Sequence, residues 1–406
     1  MTEPAGPPAR GMSRLLVLLL SLTCGISVGN IYFPQAISPL VAVGLDVPPD
    51  AAALVATAVQ LGYAVGIFLL VPLGDRVPYR PLIACLLVAT GLGLLTAAMA
   101  PALPPLVAAS ALIGTTTVIA PLVSPLAAGL VGEERRGAVI GMLLSGSIGG
   151  MLLSRAFGGL LGDWLGWRAP YLVAAVLVLI TAGVLAFAVP RTAPPSAQRY
   201  PALLGESLRL LRTEPELRRS CFYQAMVFAG FTAVWTGVAL LLTGPAYRLG
   251  APAVGALAVV GAATMFCTPI AGRQADRRGP DAVNLVCMIG AIVAAAVLVV
   301  GASGGIAGMV ALVLGTLLLD VAMQSGMVAN QVRIYALRPE VRSRLNTAYM
   351  TCAFLGGSAG SWLGVRAFAQ FGWPGVSGLV ALLAGTALTG HLIAMRRLRF
   401  RAKAAV

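Results

Sequence analysis

One acidic residue, Asp320, lies in the middle of a long apolar segment of this 406-residue chain. The other acidic residues fall between apolar segments or near the termini. If the segment crosses a membrane, an ionised carboxylate there costs at least about 3 kcal/mol, so Asp320 should face a cavity or a polar partner. A carboxylate in a cavity that opens to each side in turn can load and release a proton. The alternative is a structural contact between helices, through Gln324 or Asn330.

Arg155 is the candidate counter-charge of Asp320. It lies late in another apolar segment, and Arg366 lies at a comparable place in a later one, inside a repeated Arg-Ala-Phe tripeptide. One interpretation is that these long side chains extend to the membrane interface. The other is that Arg155 stabilises ionised Asp320 or binds an anionic group of a ligand.

The segments that carry these residues are long enough to span a bilayer. Twelve apolar runs reach about 20 residues, the length that crosses ~30 Å of hydrocarbon. The composition is 58% hydrophobic and 10% charged, with a mean hydropathy of +0.90, whereas soluble domains carry about 25% charged residues. The sequence therefore predicts an all-α integral membrane protein with twelve transmembrane helices.

The basic residues predict the orientation of these helices. Every second gap between the apolar runs holds all Lys and Arg except Arg155, Arg168, Arg248 and Arg366. The positive-inside rule then predicts a multi-pass protein of the inner (cytoplasmic) membrane with both termini in the cytoplasm. The pI near 10.3 does not indicate nucleic-acid binding, because the arginines are spread over short gaps instead of forming one basic face.

The two halves of the chain repeat each other. Asp75 follows the second apolar run and Asp276 follows the eighth, 201 residues later, and Gly114 and Gly315 are separated by the same 201 residues. Because the same spacing separates both pairs of residues, the sequence predicts two duplicated domains, residues 1–190 and 221–406. A cytoplasmic linker at 191–220 joins them. Parallel repeats of this kind occur in transporters whose binding site lies at mid-membrane between the halves.

Glycines at G-x-x-x-G spacing let helices approach closely. The second, fifth and eleventh apolar runs carry such spacings, at 62–66, 146–150, 356–360 and 360–364. They suit surfaces that slide between the two halves, and they suit static packing equally well.

The loops after the second and eighth runs resemble the G-x-x-x-D-R-x-G signature of the major facilitator superfamily. The second copy matches at Gly272, Asp276, Arg277 and Gly279, whereas the first keeps Asp75 and Arg76 but has Val71 and Pro78 where glycines are usual. Other stretches are similar to bacterial drug:proton antiporters of the acriflavin-sensitivity type. They include Asn30-Ile-Tyr32-Phe-Pro34-Gln35, Arg136-Gly137, Asp320-Val-Ala-Met-Gln324, Asn330-Gln331 and Arg342-Ser-Arg344-Leu-Asn346.

This resemblance implies the major facilitator fold, two pseudo-symmetric six-helix bundles whose first, fourth, seventh and tenth helices line a cavity. Polar and aromatic side chains on those helices are the candidate substrate contacts: Asn30, Tyr32, Gln35, Thr116, Gln224, Phe231, Trp235, Gln324 and Asn330. Aromatic rings with few hydrogen-bonding groups suit a flat, amphipathic small molecule.

The resemblance also implies a cytoplasmic gate. Its candidate residues are Asp75, Arg76, Gly272, Asp276, Arg277, Gly279, Arg136 and Arg344. Carboxylates at helix ends can pair with arginines to hold one closed arrangement. The alternative is that these residues serve topology and helix capping.

The predicted function is proton-coupled efflux of small amphipathic compounds by a monomeric secondary transporter that needs no cofactor. The expected partners are a small-molecule substrate, protons and the lipid bilayer. With Lys403 as the single lysine, the chain has no G-x-x-x-x-G-K-[ST] phosphate loop. The alternatives are an importer of the same fold and, more remotely, a membrane enzyme, because residues 356–360 fit G-x-S-x-G.

Overall fold

The computed structural model describes residues 13–192, 198–261, 264–338 and 341–404, and these form α-helices and short 3-10 turns joined by brief loops. Ten helices of this part are long and apolar enough to cross a membrane. The last of them holds two spans, because Gly372 has a positive φ of 64° that breaks the helix. One more span is divided between Ala251–Val260 and Thr264–Arg278. The predicted twelve-span all-α architecture is therefore confirmed.

We number the spans 1 to 12 in chain order. Spans 1 to 6 are Arg14–Leu45, Pro49–Asp75, Tyr79–Ala98, Leu103–Ala127, Glu133–Leu165 and Ala169–Ala188. Spans 7 to 10 are Pro215–Thr243, Ala251–Val260 with Thr264–Arg278, Pro280–Ser303 and Gly305–Leu337. Spans 11 and 12 are residues 342–371 and 373–404. The helix Tyr200–Thr213 lies between spans 6 and 7. We call the membrane side that carries it the linker face and the opposite side the distal face.

Span 4 contains a break that orients its polar side chains. Its helix stops at Thr116 and resumes at Ile119. Pro121 explains the break, because it has no N–H to donate to the carbonyl of Thr117. The Thr117 carbonyl instead accepts from the Ile119 N–H at 2.9 Å, and the Thr117 hydroxyl donates to the Ser27 carbonyl of span 1 at 3.0 Å. Pro34, by contrast, lies inside the uninterrupted helix of span 1.

The glycine stripes pack helices within each half. A Cβ added at Gly150 of span 5 would overlap the main chain of Gly25 in span 1, and one at Gly360 of span 11 would overlap that of Ala229 in span 7. Gly62 of span 2 lies in the same way against Ala111 of span 4. These glycines therefore build the bundles, and the idea that they form a sliding surface between the halves is wrong.

The two halves contact each other on the distal side of the membrane. The main chain of span 8 at Gly255 lies against Ala156 of span 5. In the second contact, between spans 2 and 11, the hydroxyls of Thr57 and Ser361 are 3.0 Å apart. Both contacts lie in the distal parts of their helices, so the halves are closed against each other on that side.

Candidate functional site

A cluster of buried polar and aromatic side chains lies where the two halves meet. We call it the central cluster. Its members are Tyr32 and Gln35 of span 1, Arg155 of span 5, Phe231 and Trp235 of span 7, and Asp320 of span 10. Each half contributes three residues, so any change in the contact between the halves must change the cluster.

Arg155 occupies the middle of the central cluster. Its side chain has 0% exposure, so it does not extend to the membrane interface. Nε and Nη2 donate to the Gln35 side-chain oxygen at 3.1 and 3.0 Å, whereas Nη1 has no hydrogen-bond partner among the described residues. The guanidinium carbon lies 4.3 Å from the Trp235 ring centre and 4.8 Å from that of Tyr32. These distances allow cation–π attraction to both rings.

Asp320 is tied to the same tryptophan. Trp235 Nε1 donates to Asp320 Oδ1 at 3.0 Å, and the carboxylate is only 3% exposed. Among the described residues Asp320 forms no ion pair within 4.0 Å, so the Trp235 ring links the carboxylate to Arg155 without direct contact. A Cβ added at Gly261 of span 8 would lie 2.8 Å from Asp320 Oδ2, so a larger residue there would crowd the carboxylate.

The other predicted contacts lie at different depths. Gln324 is one helical turn from Asp320, and its side-chain oxygen is buried without a partner among the described residues. Closer to the linker face, the Gln224 oxygen accepts from the Tyr349 hydroxyl at 3.0 Å, and the Asn330 oxygen accepts from Asn284 at 3.2 Å. These two side chains therefore join helices of the second half.

Two predicted contacts stay within the first half. Asn30 of span 1 donates weakly to the Thr117 hydroxyl of span 4, at 3.5 Å. Thr116 faces the other way, toward Thr90 of span 3, with 2.9 Å between the hydroxyl oxygens. The structure therefore does not bring Thr116 to the central cluster.

Gln60 of span 2, which the sequence reasoning missed, lies where the first half meets span 11 of the second half. It is fully buried, and neither its amide oxygen nor its amide nitrogen has a partner among the described residues. A Cβ added at Gly357 of span 11 would lie 3.1 Å from the amide oxygen. The signal was present, because Gln60 is a polar residue inside an apolar run. Restricting the candidates to four lining helices excluded it.

The predicted gate residues fall into two groups on the linker face. Arg344 of span 11 pairs with Glu206 of the linker helix at 2.7 Å, and the charges of both act on the half-buried Asp75 carboxylate of span 2. Arg76, Asp276, Arg277 and Arg136 are exposed at helix ends. Gly279 has a positive φ of 83° and starts span 9, which is a structural reason for glycine there, and Gly272 is half-buried in span 8.

A second charged cluster, which the sequence reasoning did not find, lies inside the second half near the linker face. Arg333 Nη2 is 2.5 Å from Asp281 Oδ1, and Arg219 contacts the same oxygen. Glu216 pairs with Arg219 at 3.1 Å, and His391 Nδ1 is 4.0 Å from Asp281. This cluster joins spans 7, 9, 10 and 12.

Two observations bear on other chemistry. Ser358, the serine of the G-x-S-x-G match, is helical, and its hydroxyl donates to the Thr57 carbonyl at 3.3 Å, whereas His391 lies in the second charged cluster. In the part of the chain that the structure describes, no group of three or more His, Cys, Asp and Glu side chains is placed to hold a metal ion.

Twelve spans in two halves, with a polar cluster buried between them, define a membrane transporter. The sequence model of the Major Facilitator Superfamily matches residues 17–361, and the chain belongs to this family. The crystal structure of the nucleoside transporter NupG has the same fold, with a TM-score of 0.73 over 94% of this chain and 98% of that one, at 13% identity.

Three named relatives add detail. The putative uncharacterized transporter YgaY of Escherichia coli K12 is 32% identical over 91% of this chain and 93% of its own length. The probable transporter SCO4007 of Streptomyces coelicolor is 33% identical over 92% of this chain and 86% of its own length. A chloramphenicol resistance protein of Streptomyces lividans is 32% identical, but over only 37% of this chain and 38% of its own length. The chain is therefore a transporter, and these relatives point away from an enzyme.

Proposed function

We propose that the protein couples proton entry to the export of small amphipathic compounds, by alternating access across the cytoplasmic membrane. In this proposal the linker face and both termini are cytoplasmic, and the protein works as a monomer. The observation that carries the proposal is the central cluster, in which Arg155 of one half lies over the Trp235 ring and Asp320 of the other accepts from the Trp235 N–H.

Asp320 is the proton carrier in this proposal. A carboxylate at this depth persists as an ion only with help from its surroundings, and the Trp235 N–H and the nearby positive charge of Arg155 supply that help. A proton neutralises the carboxylate and weakens both interactions. Proton and substrate then compete for the same place, which is the property that exchange of one for the other requires.

The substrate class follows from the lining of the cluster. The rings of Tyr32, Phe231 and Trp235 offer apolar faces, and Gln324, one helical turn from Asp320, has a buried amide oxygen without a partner among the described residues. A flat molecule with one or two hydrogen-bonding groups fits this set better than a sugar, which needs a denser set of polar contacts. Export is further supported by the partial similarity to a chloramphenicol resistance protein.

The decisive experiment measures proton movement in proteoliposomes that contain the purified protein and an imposed pH gradient. We expect amphipathic neutral or cationic aromatic compounds to dissipate the gradient, and sugars of similar size to leave it intact. Protein-free vesicles are the control. Movement of compound and proton in the same direction would instead identify an importer, and no compound-dependent proton movement across the panel would remove the proposal.

The linker-face contacts predict that the two loop aspartates differ in importance. The half-buried Asp75 carboxylate interacts electrostatically with Arg344 and Glu206, whereas Asp276 is exposed to solvent. We therefore expect Asp75→Asn to slow transport severalfold and Asp276→Asn to have a smaller effect, because exposed charge pairs contribute at most about 1 kcal/mol. Initial transport rates at equal protein level in vesicles check this. Equal losses in the two variants would contradict the proposed gate between spans 2 and 11.

A further inference from the structure

A basic cavity lies on the outside of the first half, where spans 3 and 6 reach the linker face. It has a volume of about 460 Å³, and its lining includes Arg80 at the start of span 3 and Arg191 just after span 6. The other lining residues are Pro78, Pro81, Ala84, Ala186 and Thr192, so the cavity has two cationic groups and no acidic one. We propose that this cavity binds the headgroup of an anionic phospholipid.

Arg80 is held in position for such a ligand. Its Nε donates to the Ala186 carbonyl in the last turn of span 6, at 2.5 Å. This bond satisfies a carbonyl that the helix end leaves without an intrahelical partner, and it fixes the guanidinium at the cavity wall. The terminal nitrogens of a guanidinium can donate two parallel hydrogen bonds to one phosphate. Because Arg80 is already held in place, its side chain loses less conformational freedom when a phosphate binds than an unrestrained arginine would.

Thr192 adds a neutral donor to the same cavity. Its hydroxyl oxygen is buried and has no hydrogen-bond partner among the described residues. A buried hydroxyl without a partner costs about 1–3 kcal/mol, and a phosphate oxygen would satisfy it. Arg191 is exposed beside it, so the second positive charge is available at the mouth of the cavity.

The surface next to the cavity suits acyl chains. Toward the membrane centre, span 3 exposes Val88 at 43% and Leu92 at 56%, and span 6 exposes Val184 at 41%. A phosphate in the cavity therefore has an apolar surface beneath it, which a free phosphate does not need. Basic pockets between transmembrane helices near the headgroup region are known to hold anionic lipid headgroups.

In the described part of the second half, the position that corresponds to Arg80 is not basic, which argues against a role in the fold common to both halves. The offset of 201 residues that relates Asp75 to Asp276 relates Arg80 to Asp281. Asp281 is an acid, and its carboxylate forms ion pairs with Arg219 and Arg333 in the second charged cluster. The position of Arg80 is therefore basic in the first half and acidic in the second.

The test titrates the delipidated full-length protein with phosphatidylglycerol and, separately, with phosphatidylcholine, and counts bound lipid by native mass spectrometry. We expect one phosphatidylglycerol to bind at least about tenfold more tightly than phosphatidylcholine. The double variant Arg80→Gln, Arg191→Gln should lose about thirtyfold in affinity for phosphatidylglycerol and bind both lipids alike.

The matched control removes two exposed arginines from the corresponding loop of the second half, in the double variant Arg277→Gln, Arg278→Gln, which should bind phosphatidylglycerol as the unmodified protein does. If loss of the Arg80 bond unfolds span 6, Arg191→Gln alone should lose about fivefold, and Arg191→Lys should restore binding. Wild-type affinity in the double variant, or an equal loss in the control, would overturn the proposal. Displacement of the lipid by millimolar inorganic phosphate would identify a small-anion site and reject the lipid.

Discussion

Replacing Asp320 with asparagine is expected to abolish proton-driven transport while leaving the protein folded. The amide keeps a carbonyl oxygen that can accept the 3.0 Å hydrogen bond from Trp235, so the packing of the central cluster survives. It cannot bind and release a proton. One charge crossing ~100 mV supplies about 2.3 kcal/mol, which sustains roughly a fortyfold concentration ratio. The ratio should therefore fall from about that value to one.

Two measurements separate loss of coupling from loss of transport. In proteoliposomes with a membrane potential, the Asp320→Asn protein should fail to build a substrate gradient, but it should still exchange labelled for unlabelled substrate. The control is Asp46→Asn, which makes the same chemical change at an exposed helix end with φ of 52°, where asparagine is well tolerated. Full proton-driven accumulation by Asp320→Asn would falsify the proton-carrier role.

The sequence was most informative where a polar residue lies inside an apolar run. Asp320 could be found this way, and so could Arg155, although its pattern allowed both an interfacial and a central position. The structure resolves that choice, because Arg155 is fully buried and bonded to Gln35. Pairing Gln35 with Arg155 needed the packing of span 1 against span 5, which rests on glycine contacts such as Gly25 with Gly150.

Orientation around a helix axis was the hardest property to predict. Thr116 and Thr117 are adjacent, but the break caused by Pro121 turns Thr117 toward span 1 and leaves Thr116 facing Thr90. A side chain's neighbour depends on which helices approach and how closely, and the local sequence does not contain that information. Gln60 differs, because its polar side chain in an apolar run was visible in the sequence and only the restriction to four lining helices excluded it.

Some arginines at helix ends have a structural role in addition to the topological role that the sequence predicts. The positive-inside pattern explains most arginines as topology, and Arg219 and Arg333 fit that pattern in sequence. In the folded chain both are largely buried and share Asp281, so they also hold three spans of the second half together. Nothing in the spacing of residues 219, 281 and 333 indicates this contact, because it forms only when spans 7, 9 and 10 pack.

Locking the distal contact between the halves is expected to stop transport reversibly. The hydroxyl oxygens of Thr57 and Ser361 are 3.0 Å apart, so cysteines at these positions bring two sulfurs within reach of a 2.05 Å bond after a small adjustment. Alternating access requires spans 2 and 11 to separate on this side. In a chain whose six native cysteines are replaced, oxidation of T57C/S361C should lower transport by roughly tenfold or more, and a reductant should restore it.

The matched control is a crosslink that forms without joining the halves. Thr90 and Thr116 provide it, because their hydroxyl oxygens are 2.9 Å apart inside the first half. A bond between T90C and T116C adds the same chemistry to one rigid bundle, so transport should continue. If both crosslinks stop transport, the bundles must deform internally during the cycle. If neither does, the contact between Thr57 and Ser361 persists throughout, and the distal side is not where the halves open.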